Sequence, residues 1–417
     1  MLQDDSTNAK EPPPPHKPVP LWRNRDYLLL WCGQSISDIG SSISSLAFPL
    51  LVLAITHSPT QAGFVSAVNT LPRVFVTLIS GVFIDRWDRK RVMLICDIGR
   101  GMSLASIPIA AAFGYLSVTQ LYIVALIEGV LVVFASLAHT SSLPQVVTKE
   151  QLPAAVGQTE VTEGTTALLG PPLAGLLFTI SSMLPFIADA ISYAVSICTL
   201  LFIRTPFQTA RTVMRRKLLA EIIEGFNWMW QQPTIRAMNV FNIAFSFLLP
   251  GGTLIVIVLA QQKHASPAII GLIFAAGGIG AILGSLLAPR MQKRVTVGQA
   301  ILIVRWTFAL LWPLNAIAPN AFTLGAIEFG FGVADPLEDV AYFSYRHALI
   351  PDRLKGRVIS VCRLFSVQPL GLAVTGILIQ QVGVIATILI MWCGLLIVTV
   401  AMTLSASIRN AGRLTEV

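Results

Sequence analysis

"GVFIDRWDRKRV", Gly81–Val92, opens apolar and closes with Arg86, Arg89, Lys90 and Arg91, with Asp85 and Asp88 set among them. What such a charge cluster does at the mouth of a long apolar segment depends on the chain around it. The 417 residues are 54% apolar and 12% Asp, Glu, Lys or Arg, about half the ~25% charge of soluble domains. A chain this long and this poor in charge cannot cover a water-exposed surface, so its class is a polytopic membrane protein.

A membrane-crossing helix needs about 20 mostly apolar residues. Twelve such spans follow one another at 27–55, 60–84, 91–115, 119–142, 154–179, 183–204, 237–261, 267–289, 297–317, 321–345, 357–381 and 385–407. Backbone groups in lipid must be satisfied within their own segment, so each span is expected to be helix and the fold all-α. Residues 1–24 read as a disordered tail with its prolines in "EPPPPHKPVP", and 408–417 as a second tail.

With the N-terminus inside, alternate connections collect the cations. Inside lie Arg23 and Arg25, the quoted cluster, Arg204 to Arg236 of the central connection, Arg290, Lys293 and Arg294, then Arg353, Lys355 and Arg357. The outer connections hold essentially Lys263. That bias orients both termini to the cytoplasm of a cell-membrane protein, and the quoted cluster then anchors the inner end of helix 2. The net charge of +8 is explained by topology, without nucleic acid.

The chain divides into 25–204 and 237–407, two six-helix halves joined by a connection at 205–236. There Leu218, Ile222, Phe226 and Trp230 form one stripe beside Arg215, Arg216 and Lys217, which suits a helix lying on the inner membrane face. The halves look like repeats. Ser58-Pro59 and Ser266-Pro267 both read as an N-cap followed by proline at the first helical position. "GVFIDRWDRKRV" aligns without gaps to "GSLLAPRMQKRV", 284–295. Two such halves are a transporter architecture, with the binding site between them near mid-membrane.

These residues resemble the major facilitator superfamily. Gly81, Asp85, Arg86, Arg89, Lys90 and Arg91 are similar to its signature between helices 2 and 3, with Asp88 where a glycine is usual and Ala288-Pro289 replacing the Asp-Arg pair in the second copy. The resemblance implies that Asp85 latches the inner seam in the outward-open state, with Asp97 and Arg100 as a bundle-internal pair supporting it. "GPPLAG" in helix 5 resembles an exporter motif, with Gly164, Gly170, Pro171 and Gly175 in place and Ala174 where a glycine is common. "LWCGQSISDIGSSISSLAFPLLVL" and "IPDRLKGRVISV" resemble the branch containing macrolide efflux proteins and the enterobactin exporter. The helix 4 arginine of many drug antiporters falls near Ala125 and is absent.

Ionisable residues inside a membrane are functional candidates by default. Gln34, Asp38, Ser41 and Ser45 make one polar stripe on helix 1. Asp38 and Arg73 each stand about 18 Å from the inner end, so adjacent helices are expected to bring them together, as a structural ion pair or as a proton site tuned by the arginine. Glu128 in helix 4 and Glu163 in helix 5 are further proton-coupling candidates. Asn239, Asn242 and Ser246 form a stripe on helix 7, and Pro250-Gly251-Gly252 can break that helix. Glu328 and Asp335 on helix 10 complete the cavity candidates, Asp335 pairing with Arg305 in the structural reading. Asp189 in helix 6 receives no role.

No Gly-rich nucleotide loop is present, so ATP is not the expected driver. The five cysteines and five histidines give no metal spacing and no disulfide framework. The expectation is therefore a non-enzymatic, cofactor-free monomer, a secondary transporter exchanging protons for a small amphiphilic compound such as a drug, macrolide or siderophore. A lysophospholipid flippase and a non-transporting sensor on the same fold are the alternatives.

Overall fold

The computed structural model describes residues 20–84, 87–207, 218–351 and 353–412. They are helical throughout, without a strand among the described residues. The first set is α1 (Arg25–Thr56), α2 (Pro59–Ile84), α3 (Arg89–Ala112), α4 (Val118–Val146), α5 (Leu152–Ile180) and α6 (Leu184–Phe202). A connecting helix α7 (Leu218–Gln231) leads to α8 (Pro233–Leu248), α9 (Gly252–Gln262), α10 (Pro267–Gln292), α11 (Val297–Leu311) and α12 (Leu314–Ile317). Then follow α13 (Ala321–Leu349), α14 (Lys355–Leu364), α15 (Gln368–Val382), α16 (Val384–Leu404) and α17 (Ala406–Arg409).

Eight spans are long and apolar enough to cross a membrane among the described residues: α1, α3, α4, α6, α8 with α9, α10, α11 with α12, and α16. Three of the twelve sequence spans prove to be broken helices. Pro250 and Gly251 part α8 from α9, Trp312 and Pro313 part α11 from α12, and 365–367 part α14 from α15.

Local signals set the helix starts. Asn24 accepts from Tyr27 N, Asp88 from Lys90 N and Arg91 N, and Ser117 from Gln120 N. Ser58 Oγ accepts from Gln61 N at 3.3 Å, and Ser266 Oγ from Ile269 N at 3.4 Å. The chain enters both of these caps through a left-handed histidine, His57 at φ 52° and His264 at φ 58°. The two helix starts that match in the sequence thus share a cap and a left-handed approach.

One end of the bundle gathers the ends of the first set. Asn24 Nδ2 donates to Val146 O (2.8 Å), and Asp26 Oδ2 accepts from Arg204 N (3.2 Å) and Thr205 N (2.8 Å). At the same end α7 docks on α14. Met229, Val358, Val361, Ile350 and Leu354 form a small core against Ile222 and Phe226, and Glu224 pairs with Arg357 and, at 3.4 Å, with Arg353. Ile222 and Phe226 of the stripe expected to lie on lipid therefore pack on protein. α14 and the turn before it supply an apolar partner and two cations, and Trp230 remains half exposed, stacked on Phe226.

The two sets meet through α5 against α10 and α2 against α15. Both seams are tightest at the end opposite the termini. A Cβ on Gly175 would overlap Pro267 O, and one on Gly63 would stand 2.7 Å from Leu372 O. Ala268 N donates to Thr179 Oγ1 (3.0 Å), and Thr60 Oγ1 to Gly376 O (3.3 Å). Toward the termini the seam parts, and Gly157 and Gly164 of α5 have no neighbour within 4 Å of a Cβ position. Gly175→Leu should therefore push the far end open, since overpacking costs about 1–3 kcal/mol. Spin labels at the exposed His57 and Gln381 should report a longer distance in that variant than in wild type.

Candidate functional site

A cavity lies between the two sets below the closed seam. It has two connected chambers of about 340 and 380 Å³, sharing Thr70, Arg73, Val132 and Gln368. The first reaches Arg100, Glu128 and Asp189 and is roofed by Pro250, Thr253 and Leu372. The break between α8 and α9 thus forms part of its ceiling.

Its deepest wall is a buried polar network on α1, α3, α4 and α6. Arg100 Nε donates to Glu128 Oε2 at 2.8 Å, and Ser103 Oγ to Glu128 Oε1 at 2.8 Å. Arg100 Nη2 reaches Ser41 Oγ (3.3 Å), which lies 2.8 Å from Tyr193 OH. The Arg100 guanidinium stacks 4.6 Å from the Tyr193 ring centre. Ser196 Oγ donates to Asp97 Oδ2 (2.7 Å), and Ser192 Oγ to Asp189 Oδ1 (3.1 Å). Asp189 Oδ2 is buried without a hydrogen-bond partner. Asp38, Asp97 and Asp189 all lie within electrostatic reach of Arg100.

The second set repeats the arrangement. Arg305 on α11 pairs with Glu338 on α13 at 2.5 Å and stacks 3.7 Å from the Phe245 ring centre. Each set therefore buries one Arg–Glu pair between two of its helices, with the guanidinium against an aromatic ring. Hydrogen bonds and ring contact offset the desolvation that a buried pair otherwise suffers.

Several expectations need correction. Asp38 and Arg73 form no ion pair: Asp38 Oδ1 accepts from Gln34 Nε2 (3.0 Å), while Arg73 is exposed in both chambers. Equal depth brought them to one level, but their helices turn them to different surroundings. Arg100 pairs with Glu128 across to α4 rather than with Asp97 one turn away, because Asp97 points to Ser196 on α6. Arg305 takes Glu338 rather than Asp335, which is exposed; Glu338 is one turn further along and one methylene longer.

The remaining candidates scatter. Glu163 is exposed on α5 at the open side, and Gly164 beside it makes no close contact. Gly170 packs on Ser42 of α1, Gly175 on Pro267 of α10, and Gly271 of α10 on Pro171 O. The Gly-Pro segment thus forms the inter-set seam. Asn239 is buried, donating to Ile235 O (2.9 Å) and accepting from Tyr342 OH (3.3 Å). Asn242 is exposed. Ser246 Oγ accepts from Val367 N (3.3 Å), filling the break before α15. Glu328 packs at the α10–α13 crossing, near Gly277. None of Gln34, Asn239, Asn242, Ser246, Glu328 and Asp335 lines the two chambers.

Of the signature, Gly81 ends α2 in the last turn, while Asp85 and Arg86 lie outside the described residues. Its basic residues act within one set. Arg89 Nη1 donates to Ser141 O (2.9 Å) and Phe207 O (3.3 Å), Lys90 Nζ to Ile203 O (2.7 Å), and Arg91 pairs loosely with Asp88 at 3.8 Å. Charged hydrogen bonds of this kind contribute about 1.5–3 kcal/mol each. Arg89→Ala should lower thermal stability by a comparable amount in detergent, read by tryptophan fluorescence, without changing ligand affinity.

The network missed by sequence reasoning is Asp189 with Ser192 and Tyr193. A carboxylate inside an apolar span was its signal, but nothing in the spacing tied it to Arg100.

Comparison with known proteins agrees with the architecture. The multidrug efflux pump Tap of Mycolicibacterium fortuitum is 26% identical over 385 residues, 87% of this chain and 91% of that protein. Macrolide efflux protein A of Streptococcus pyogenes is 23% identical over 377 residues, 87% and 91% of the two chains. The crystal structure of the nucleoside transporter NupG superposes with a TM-score of 0.71 at 14% identity, covering 92% of this chain and 99% of the other. Residues 18–413 match the family described as transmembrane secretion effector. With its apolar helices, its two-part bundle and its central cavity, the chain belongs to that family, as a multi-pass membrane transporter of the major facilitator superfamily.

Proposed function

We propose that this chain exports a small amphiphilic organic compound from the cytoplasm in exchange for protons, by alternating access. In this reading it crosses the cell membrane twelve times, with α2, α5, α13 and the α14–α15 pair joining the eight apolar spans. Both termini are cytoplasmic, and the halves 25–204 and 237–407 rock about the seams. The cavity, sealed at the far end and parted toward the termini, is then the inward-open state. The relatives named for multidrug and macrolide efflux support the direction of transport.

One observation carries the proton coupling. Glu128 pairs with the buried Arg100 guanidinium at the cavity wall, and three more carboxylates, Asp38, Asp97 and Asp189, lie within its electrostatic reach. Even with Arg73 counted, the acids outnumber the cations, and bare like charges at membrane depth are strongly disfavoured. Protons are the neutral solution. Glu128 has both oxygens occupied by Arg100 and Ser103, which leaves Asp38, Asp97 and Asp189 to load and release. A ligand entering the chamber, or closure of the termini-side opening, changes their solvation and so their protonation, which biases the two states.

Everted vesicles carrying the protein test this. A panel of a macrolide, a catechol siderophore and a dansylated amphiphile should include one compound whose accumulation follows an imposed pH gradient and stops with an uncoupler. Accumulation that ignores the gradient contradicts proton exchange. Gradient-independent movement of a lysophospholipid replaces this reading with a flippase.

A further inference from the structure

Arg73 is the unexplained charge. It stands near the middle of α2, exposed in both chambers, and among the described residues its guanidinium has neither ion-pair nor hydrogen-bond partner. The guanidiniums of Arg100 and Arg305, by contrast, are each ion-paired, with Glu128 and Glu338. Arginine cannot shed its proton in a protein. An unpaired guanidinium held in a membrane-depth cavity is expensive and marks a ligand or ion path.

The surroundings narrow the ligand. Arg73 is the one charged residue among those lining the 380 Å³ chamber. Around it stand hydrogen-bonding groups, Thr70, Thr77, Ser136 and Gln368, facing an apolar wall that includes Val132 and Leu137. The adjoining chamber carries two carboxylates, Glu128, engaged by Arg100 and Ser103, and Asp189, buried on α6 and accepting from Ser192; neither pairs with Arg73. The exposed acids Asp335 and Asp339 belong to the other set and line neither chamber. Among the described residues, no carboxylate is within ion-pair distance of Arg73.

We propose that the cargo is an organic acid. Its carboxylate docks on Arg73 and its apolar body lies along α4. A guanidinium offers a planar fork that matches a carboxylate with two parallel hydrogen bonds. The Ser136 hydroxyl and the Gln368 amide donate to the remaining lone pairs, while the Thr70 and Thr77 hydroxyls donate to Ser66 O and Arg73 O of their own helix. A chamber of this size fits a compound of small-drug dimensions. This assignment rests on the cavity being the transport cavity, but not on proton coupling, so the two can fail separately.

The test is binding at fixed pH to purified full-length protein in lipid nanodiscs. The probes are dansylglycine, its methyl ester, and the amine obtained by coupling dansyl to ethylenediamine. Wild type should bind the acid at least about tenfold more tightly than the ester, as loss of one charge-assisted pairing requires. Arg73→Lys should keep a reduced preference for the acid, and Arg73→Gln should bring the acid–ester affinity ratio to about one. Ester binding reports that the variants are folded, and the acid–ester ratio of wild type needs no variant at all. Equal binding of acid and ester by wild type, tighter binding of the amine, or an acid preference that survives in Arg73→Gln would each overturn the proposal.

Discussion

Arg100→Leu should lose about 3–5 kcal/mol of stability, because removing one partner leaves buried charge without compensation. The loss should exceed that of any other single substitution in the cavity wall. Glu128 then faces Ser103 alone, and Asp97 and Asp189 lose the field that balances them. Thermal unfolding followed by tryptophan fluorescence in detergent measures it. Glu128→Leu should be nearly as harmful, stranding the guanidinium against the Tyr193 ring. The double variant Arg100→Leu/Glu128→Leu should recover part of the loss, since a pair replaced together leaves no orphan. Strict additivity of the two single losses would show that the pair does not act as a unit. The same cycle at Arg305 and Glu338 should behave alike, because the geometry repeats there.

Asp38→Asn and Asp189→Asn should separate coupling from binding. Both keep shape and lose the titrating carboxyl. A coupling free energy of 1–3 kcal/mol corresponds to about 5–150-fold, so gradient-driven accumulation should fall by roughly tenfold or more in at least one variant. Ligand affinity should change by much less, since Asp38 lies off the chambers and Asp189 touches only the first. Asp189 is the stronger expectation. It is buried and lines the first chamber, where a ligand changes its solvation directly, whereas Asp38 lines neither chamber. Retained gradient dependence in the Asp38→Asn/Asp189→Asn double variant would remove both from the coupling.

The fold was largely legible, and the reasons are local. Apolar run length marks a span, and Ser58 and Ser266 before proline mark starts that are capped as expected. The glycines of the helix 5 motif mark a close approach, and Gly175 indeed meets Pro267. Pro250-Gly251 marks the break before α9. The partners of the ionisable groups were not legible. Periodicity fixes which residues share a face of one helix, but not how that helix is rotated against its neighbours. Depth placed Asp38 level with Arg73, and spacing placed Asp97 beside Arg100. Rotation instead gave Arg100 to Glu128, Asp97 to Ser196 and Asp38 to Gln34. Asp189 was visible only as a carboxylate out of place. Ile222 and Phe226 of the α7 stripe pack beside α14, a partner that the periodicity of one helix does not name.

Proton release on ligand binding tests the central claim most directly. Wild type, Asp38→Asn and Asp189→Asn would be titrated in unbuffered detergent solution containing a pH indicator, using the macrolide, siderophore and dansylated compounds in turn. The account predicts that a ligand that binds wild type releases protons, and that the release shrinks or vanishes in at least one variant that still binds. Binding to wild type with no proton release would contradict proton exchange at the Arg100 cluster.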